Sequence, residues 1–472
     1  MAVHVFAGPT IKKADIFLEI DDCIVHPPIR HGDLFSIDVQ PEDFILMIDG
    51  LYHGHEPIRH KEILRTMSRG VVVAGAASMG ALRAAELHSY GMLGFGRVFE
   101  MYRTGEIDAD DEVAVLHTDD PDGSALSEAL VNMRHALRLA GEEGLVDERE
   151  AAALLETARA LPYARRSWRA VERELAGRDL VEDELVGPDR AVPHGTGLAS
   201  AAERVGRLAR ERPAEVALKL QDARAGLRHV HELARSHPRP RATAGVWTDG
   251  WETAYLRRWE SRFTGELVTG RFVSVAARFD YQRLFGADHR TRWRTHVLAT
   301  IAGSPPGTPA RLLEEEALAA ASRHGLDSRS LTPEQIRVWV PEREQEVLDE
   351  REITLTVLIR SARLTPDLQD PATARLLLPS PLAHHSEIAA SLAMNEAVAR
   401  TGYAKNTDQL KTAVLRTHLA LNWHLQSTCN TEVLDAAARD RGFTSAHEAQ
   451  EALRPYFLRR HQESRTPKGA AS

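Results

Sequence analysis

Three short apolar runs constrain this chain more than any other feature. VHVFAG (Val3–Gly8), FILMIDG (Phe44–Gly50) and VVVAG (Val71–Gly75) are β-branched and aliphatic, and each ends in glycine. Helix-forming sequence lies between the second and third. Continuous apolar strands separated by helices belong to a parallel sheet covered on both faces, because an alternating pattern would mark a sheet with one wet face. The connection PIRHKEILRTMSRG supplies the helix. Pro57 suits its first position, Gly70 its C′ position, and Ile63, Leu64 and Met67 its buried face.

Beyond about Ser124 the pattern changes. Alanine, leucine, glutamate and arginine dominate from 124 to 237, which favours helix. SHPRPRATAG (Ser236–Gly245) reads as a linker, and the chain from 246 to 460 reads as mostly helical. The expected fold class is an α/β N-terminal domain with a short parallel sheet flanked by helices, followed by a mostly α-helical C-terminal half. The expected divisions are a core over 1–123, its helical continuation over 124–237, a helical domain over 246–460 that carries no functional signal, and a disordered tail over 461–472. Trp247, Trp251, Tyr255 and Trp259 recur every four residues, which puts them on one helix face as packing aromatics. Ala320–Val340 aligns without gaps against Ala437–Phe457, with Gly325 over Gly442, either as a duplicated helix–turn–helix or as chance between alanine-rich helices.

Composition narrows the function classes. The net charge of −9 gives no footprint for general nucleic-acid binding. Cys23 and Cys429 lie far apart, which excludes a disulfide scaffold and a cysteine zinc site and fits a reducing compartment. There is no apolar run near 18 residues and no signal-peptide pattern, so a soluble, cytoplasmic protein without membrane contact is expected.

If the strands are parallel, three motifs meet at their carboxyl edge, where open α/β sheets bind ligands. They are Gly8-Pro9-Thr10, Asp49-Gly50 and Ala76-Ala77-Ser78. Ser78 stands in A-x-S-x-G between strand and helix, one small-residue change from a nucleophile elbow. Three readings stay open. Ser78 caps the helix, holds a phosphate, or attacks a carbonyl, with the N–H groups of Met79 and Gly80 stabilising the oxyanion. The phosphate reading is disfavoured because neither a Lys-Ser/Thr ending nor G-x-G-x-x-G is present. A serine nucleophile needs a base. Lys61 flanks the apolar face of the preceding helix, where burial would favour a neutral amine; the alternative is a surface lysine with a buried stem. His53, His55 and His60 fit no firm zinc pattern, and His60 is a candidate for tuning the site or touching a partner. Asp108, Asp110, Asp111 and Glu112 form an acidic knot that reads as a solvated or partner-docking face rather than a magnesium site. Arg83 is placed to pair with Glu86 or to hold a substrate carboxylate.

Taken together, FAGPT (Phe6–Thr10), HPPIRHGD (His26–Asp33), IDGLY (Ile48–Tyr52), RHKEIL (Arg59–Leu64), GAASMGALRAAEL (Gly75–Leu87), YGMLGFG (Tyr90–Gly96) and DDEVAV (Asp110–Val115) resemble the TfuA-like family. The resemblance covers residues 1 to about 235 and is strongest to about 117; the second half gains no function from it. It implies work alongside a YcaO enzyme in peptide backbone thioamidation, here in ribosomal peptide natural product biosynthesis. The family takes sulfur from a ThiS-like carrier ending in a thiocarboxylate and aids YcaO binding of its precursor peptide. It implies a hydrolase-like serine–lysine pair, which falls on Ser78 and Lys61. The placement of the other residues at the same edge makes Met79, Gly80, Thr10, Asp49, Gly50 and Arg83 the expected oxyanion or substrate contacts. It calls for no cofactor and no metal in this subunit. The competing expectations are a non-catalytic scaffold that binds YcaO and precursor peptide, and an unrelated serine hydrolase acting on a small ester.

Overall fold

The computed structural model describes residues 1–52, 54–118, 123–176, 197–236, 252–379, 382–400, 407, 410–426 and 429–465. The chain divides into two compact units, Met1–Trp251 and Glu252–Ser472.

In the first unit, β1 (Val3–Phe6), β2 (Ile24–His26), β3 (Phe44–Met47), β4 (Val72–Ala76) and β5 (Leu93–Phe95) form one sheet in the order β2-β1-β3-β4-β5. Every pairing is parallel. The apolar runs are continuous because both faces are covered. On one face Ile45, Met47 and Val73 pack with Ile63 and Met67 of α3 (His60–Ser68), Ala81 and Ala84 of α4 (Met79–Leu87) and Val98 of α5 (Arg97–Thr104). On the other face Val5, Phe44, Leu46 and Ala74 pack with Ile16 of α1 (Lys13–Glu19) and with Ala223, Leu227 and Val230 of the long helix Leu218–Ser236. That helix closes the sheet from 120 residues downstream of the last strand, so the helical continuation and the sheet share one core. A separate apolar cluster joins the helices Leu130–Glu142, Glu148–Ala160 and Leu198–Glu211 through Met133, Leu154 and Val205.

Pro57 does not open α3. The helix starts at His60, after Arg59 in extended conformation (φ −93°, ψ 143°). Gly70 does terminate it, at φ +92°. The motif residue next to Lys61 matters more for the fold than the motif suggested. Glu62 is fully buried. Its carboxylate accepts hydrogen bonds from Gly32 N–H (3.0 Å) and Leu34 N–H (3.0 Å) and bonds His31 Nδ1 (2.8 Å). HPPIRHGD and RHKEIL are therefore the two halves of one clamp.

In the second unit a hairpin, Gly265–Val268 with Arg271–Ser274, stands among helices; Thr269 (φ +50°) and Gly270 (φ +78°) make its turn. Trp293, Leu313 and Leu355 centre one core, and Leu415, Phe443 and Leu453 another. Arg360 is buried and tied to Asp440 (2.7 Å) and Glu344 (2.6 Å). Tyr255 and Trp259 share the helix Ala254–Phe263 with ring centroids 6.4 Å apart; Trp247 and Trp251 lie outside the described residues, as do most of the expected linker and the end of the tail. Gly325 and Gly442 both follow a helix in left-handed conformation (φ +65° and +85°), but the helices after them, Pro333–Arg337 and Ala446–Arg465, differ in length. Among the described residues no helix is long and apolar enough to cross a membrane.

Candidate active site

The joint between β4 and α4 is built by close approach. A Cβ on Gly75 would lie 1.9 Å from Gly80 O, and one on Gly80 would lie 1.8 Å from Met47 O. Only glycine at both positions lets α4 start directly against β3 and β4. The chain turns at Ala77 (φ +66°), where Ser78 N–H donates to Ala76 O (2.7 Å) in a γ-turn. A left-handed alanine costs of order 1–3 kcal/mol, a strain that elsewhere collects at functional sites. Ser78 occupies the N-cap position of α4, yet its side chain makes no capping hydrogen bond. Among the described residues its hydroxyl has no hydrogen-bond partner, although the residue is only 7% exposed. The capping reading is therefore not realised, and the hydroxyl is left for something else.

Ser78 lines a cavity of about 600 Å³ at the carboxyl ends of the strands, together with Asp49, Gly50, Met79, Arg83 and Lys219. The volume is in the usual range for a ligand site, roughly 300–1,000 Å³. The expected convergence of three motifs is present. Asp49 accepts hydrogen bonds from Gly8 N–H (2.9 Å), Thr10 N–H (3.1 Å) and the Thr10 hydroxyl (2.5 Å), which fastens the loop after β1 to the end of β3. Thr10 and Asp49 thus hold each other, and Thr10 stays out of the cavity lining. Of the two expected oxyanion donors, Gly80 N–H donates to Ile48 O (3.2 Å), so it is occupied. Met79 N–H, at the first position of the helix, has no partner among the described residues. It combines an open donor with the positive end of the helix.

Arg83 reaches the cavity from α4. Its Nη1 bonds Glu86 Oε2 (2.6 Å), which also bonds His60 Nε2 (2.8 Å), and its Nε is buried without a partner among the described residues. Burial opposes ionisation of Glu86, but the bond to His60 and the Arg83 charge outweigh it and hold the carboxyl below its ordinary range. Lys61 lies half-buried on α3, one residue from His60, and is not among the residues that line the cavity. Lys219 is. It stands at the start of the helix Leu218–Ser236, is 4% exposed, and its Nζ donates to Val113 O (2.8 Å). Burial lowers its affinity for a proton, opposed by Asp49 and Glu128. Nothing in the local pattern marked it, except that it is the single lysine between Lys61 and Lys405 in a chain that otherwise uses arginine there.

The acidic knot is divided between surface and interior: Asp108 and Asp110 are exposed, Asp111 is intermediate and Glu112 is buried. Glu112 is 2% exposed and holds Arg134 through two bonds (2.7 and 2.9 Å). Asp111 bonds Arg166 (2.8 Å), whose buried guanidinium also donates to Ala158 O (3.0 Å) and Leu161 O (3.1 Å). Asp110 accepts from the Tyr52 hydroxyl across the cavity rim, which raises the tyrosine's pKa. These contacts tie the 105–116 loop to the helical part of the unit. His55 lines the cavity, and His53 lies outside the described residues. Among the described residues no group of three or more His, Cys, Asp and Glu side chains is arranged to hold a metal ion.

Comparison with known proteins bears on the same segment. No curated protein matches the chain. Residues 49–167 match the family model described as TfuA-like protein, a range that includes Lys61, Ser78 and Arg83 and ends before Lys219. Over that segment, about a quarter of its length, the chain is similar to the TfuA-like family.

Proposed function

We propose that this protein is the sulfur-delivery partner of a YcaO enzyme in peptide backbone thioamidation, acting in ribosomal peptide natural product biosynthesis. It hydrolyses the thiocarboxylate of a ThiS-like carrier and aids YcaO binding of the precursor peptide. The observation that carries the reading is the Ser78 hydroxyl, uncapped and unbonded, on a strained turn inside a cavity at the sheet's carboxyl edge. In this reading the carrier's C-terminal tail enters the cavity while its globular body stays outside, since about 600 Å³ holds a few residues and not a domain. Ser78 Oγ attacks the thiocarboxylate carbon as its proton passes to a neutral lysine. The oxyanion is met by Met79 N–H at the helix start. The C–S bond breaks and sulfide leaves as HS⁻. Water then attacks the ester, Ser78 regains its proton, and the carrier departs with an ordinary carboxylate. The family resemblance gives the lysine's role to Lys61. Arg83, at the cavity wall with an Nε unpartnered among the described residues, binds the negative charge of the thiocarboxylate.

The test is the covalent intermediate. Mixing the protein with thiocarboxylated carrier, quenching in acid and measuring intact mass should reveal a carrier ester on Ser78. Ser78→Ala should form none while still binding YcaO. If carrier is hydrolysed with no such ester under quenching and with Ser78→Ala as active as wild type, Ser78 is not the nucleophile.

A further inference from the structure

We propose that the hairpin of the second unit is an open docking edge that takes an extended acidic peptide segment as a third strand alongside Gly265–Val268. The inference concerns a unit to which the sulfur-delivery reading assigns no role, and it does not rest on Ser78.

The main chain carries the first argument. A two-residue turn, Thr269-Gly270, closes the hairpin, so the Val268–Arg271 pair beside it exchanges hydrogen bonds. Pairs then alternate: Glu266–Val273 is bonded and Leu267–Phe272 is not. Thr264 O accepts Val275 N–H (2.8 Å), which fixes the same phase from the other end. The N–H and C=O of Gly265 and of Leu267 therefore point away from the partner strand, and nothing among the described residues bonds them. Protein edges are commonly blunted by proline, lysine or a bulge. GELV has none of these, and Gly265, Glu266 and Leu267 are all exposed.

The side chains say what the edge selects. Leu267 is 75% exposed and its cross-strand neighbour Phe272 43%, so one face of the hairpin offers an apolar pair to solvent, while Val273 on the other face is fully buried. The helix Ala254–Phe263 runs directly into the strand. On it Arg258 and Arg262, one turn apart, are exposed and have no carboxylate partner among the described residues; Arg258 lies only over the Tyr255 ring (5.8 Å to the centroid). The charges on the strands themselves are already used, Glu266 by His385 and Arg271 by Glu396. The surplus beside the open edge is positive. A second copy of the chain would bring the same two arginines to it, whereas carboxylates on an added strand would meet them. Main-chain bonds would then supply affinity, and the apolar pair and the arginines selection.

Fluorescence anisotropy with the full chain at low salt tests this, using fluorescein-labelled Asp-Val-Glu-Val-Asp-Val as the probe. Saturable binding is expected. Lys-Val-Lys-Val-Lys-Val and the interrupted Asp-Val-Glu-Pro-Asp-Val should each bind at least about 10-fold more weakly, the first for its charge and the second for a missing ladder donor. Leu267→Pro removes an outward N–H and none of the hairpin's own bonds, so the folded variant should bind about 10-fold more weakly, while Leu267→Val should bind as wild type does. Arg258→Ser combined with Arg262→Ser should weaken binding and remove its salt dependence. The proposal is overturned if wild type leaves the acidic probe free up to about 1 mM, if it binds the lysine probe equally well, or if folded Leu267→Pro binds as wild type does. A dimer in sedimentation that Leu267→Pro dissociates would give the edge to a second copy and overturn it as well.

Discussion

Replacing Gly80 by alanine probes whether close approach, rather than any special backbone angle, builds the joint. An added Cβ would sit 1.8 Å from Met47 O, 2.5 Å from Met47 C and 3.2 Å from Ile48 N. A carbon and a carbonyl oxygen need about 3.3 Å, so α4 and β3 must separate by about 1.5 Å. Every atom met is backbone, so no rotamer change can relieve it. The separation loses the Gly80 N–H bond to Ile48 O, worth about 1 kcal/mol, and the forced repacking costs about 1–3 kcal/mol. The helix gains back about 1 kcal/mol from alanine's propensity. The net expectation is a loss of about 2 kcal/mol, near the upper end of single-site effects that stay folded. Gly141 is the control. It sits in the helix Leu130–Glu142 with nothing within 4 Å of an added Cβ, so Gly141→Ala should stabilise by up to about 1 kcal/mol. Urea denaturation followed by hydrogen exchange on peptides covering 44–50 and 72–87 isolates this unit. If Gly80→Ala stays within about 0.5 kcal/mol of wild type, or falls with Gly141→Ala, the close-approach argument is wrong.

Further outcomes follow from the same contacts. Ala77→Gly should raise thermal stability by about 1 kcal/mol, because glycine adopts φ +66° without strain, whereas Ala77→Val should lower it in the same melting experiment. Glu62→Ala leaves Gly32 N–H, Leu34 N–H and His31 without their acceptor; a loss of about 3 kcal/mol and early proteolysis in the 28–36 segment are expected, read by limited digestion. In the second unit His289 is fully buried, and burial with the charges of Arg283, Arg292 and Arg441 pushes its imidazole down to about 3. The depressed value means that its contribution is whole above the unfolded pKa near 6.5 and is lost as pH falls toward 3, at most about 1.4 kcal/mol per pH unit. His289→Leu should flatten that acid sensitivity in denaturation midpoints taken at pH 7, 5 and 4; an unchanged slope would contradict the assignment.

The parallel sheet was legible because β1, β3 and β4 are buried on both faces and so carry unbroken apolar runs. β2 and β5 were not. Each is three residues long, β2 is an edge strand with Ile24 exposed, and β5 lies among the glycines of YGMLGFG, so neither has a run to read. Ser78, Asp49 and Gly50 were found at one edge because strand direction alone determines that. The state of the Ser78 hydroxyl was beyond sequence, since a cap and a nucleophile occupy the same position. The Gly80 N–H failed as a donor because β3 reaches far enough to accept it, a tertiary contact with no local signature. Lys219 went unseen for the same reason. It joins the cavity only because the helix Leu218–Ser236 returns to the sheet, and a sequence 120 residues past the last strand gives no notice of that return. Glu112 looked like solvated charge because its arginine partner, Arg134, lies on a distant helical segment.

The most direct measurement of the central claim is sulfide released from thiocarboxylated carrier by the purified chain, compared with Ser78→Ala under single-turnover conditions. The account predicts that wild type releases one sulfide per carrier and that Ser78→Ala, folded and still able to bind the carrier, slows release by at least about 10³-fold, the scale of a lost nucleophile. Equal release by the two proteins would contradict it, leaving the cavity a place of binding rather than of chemistry.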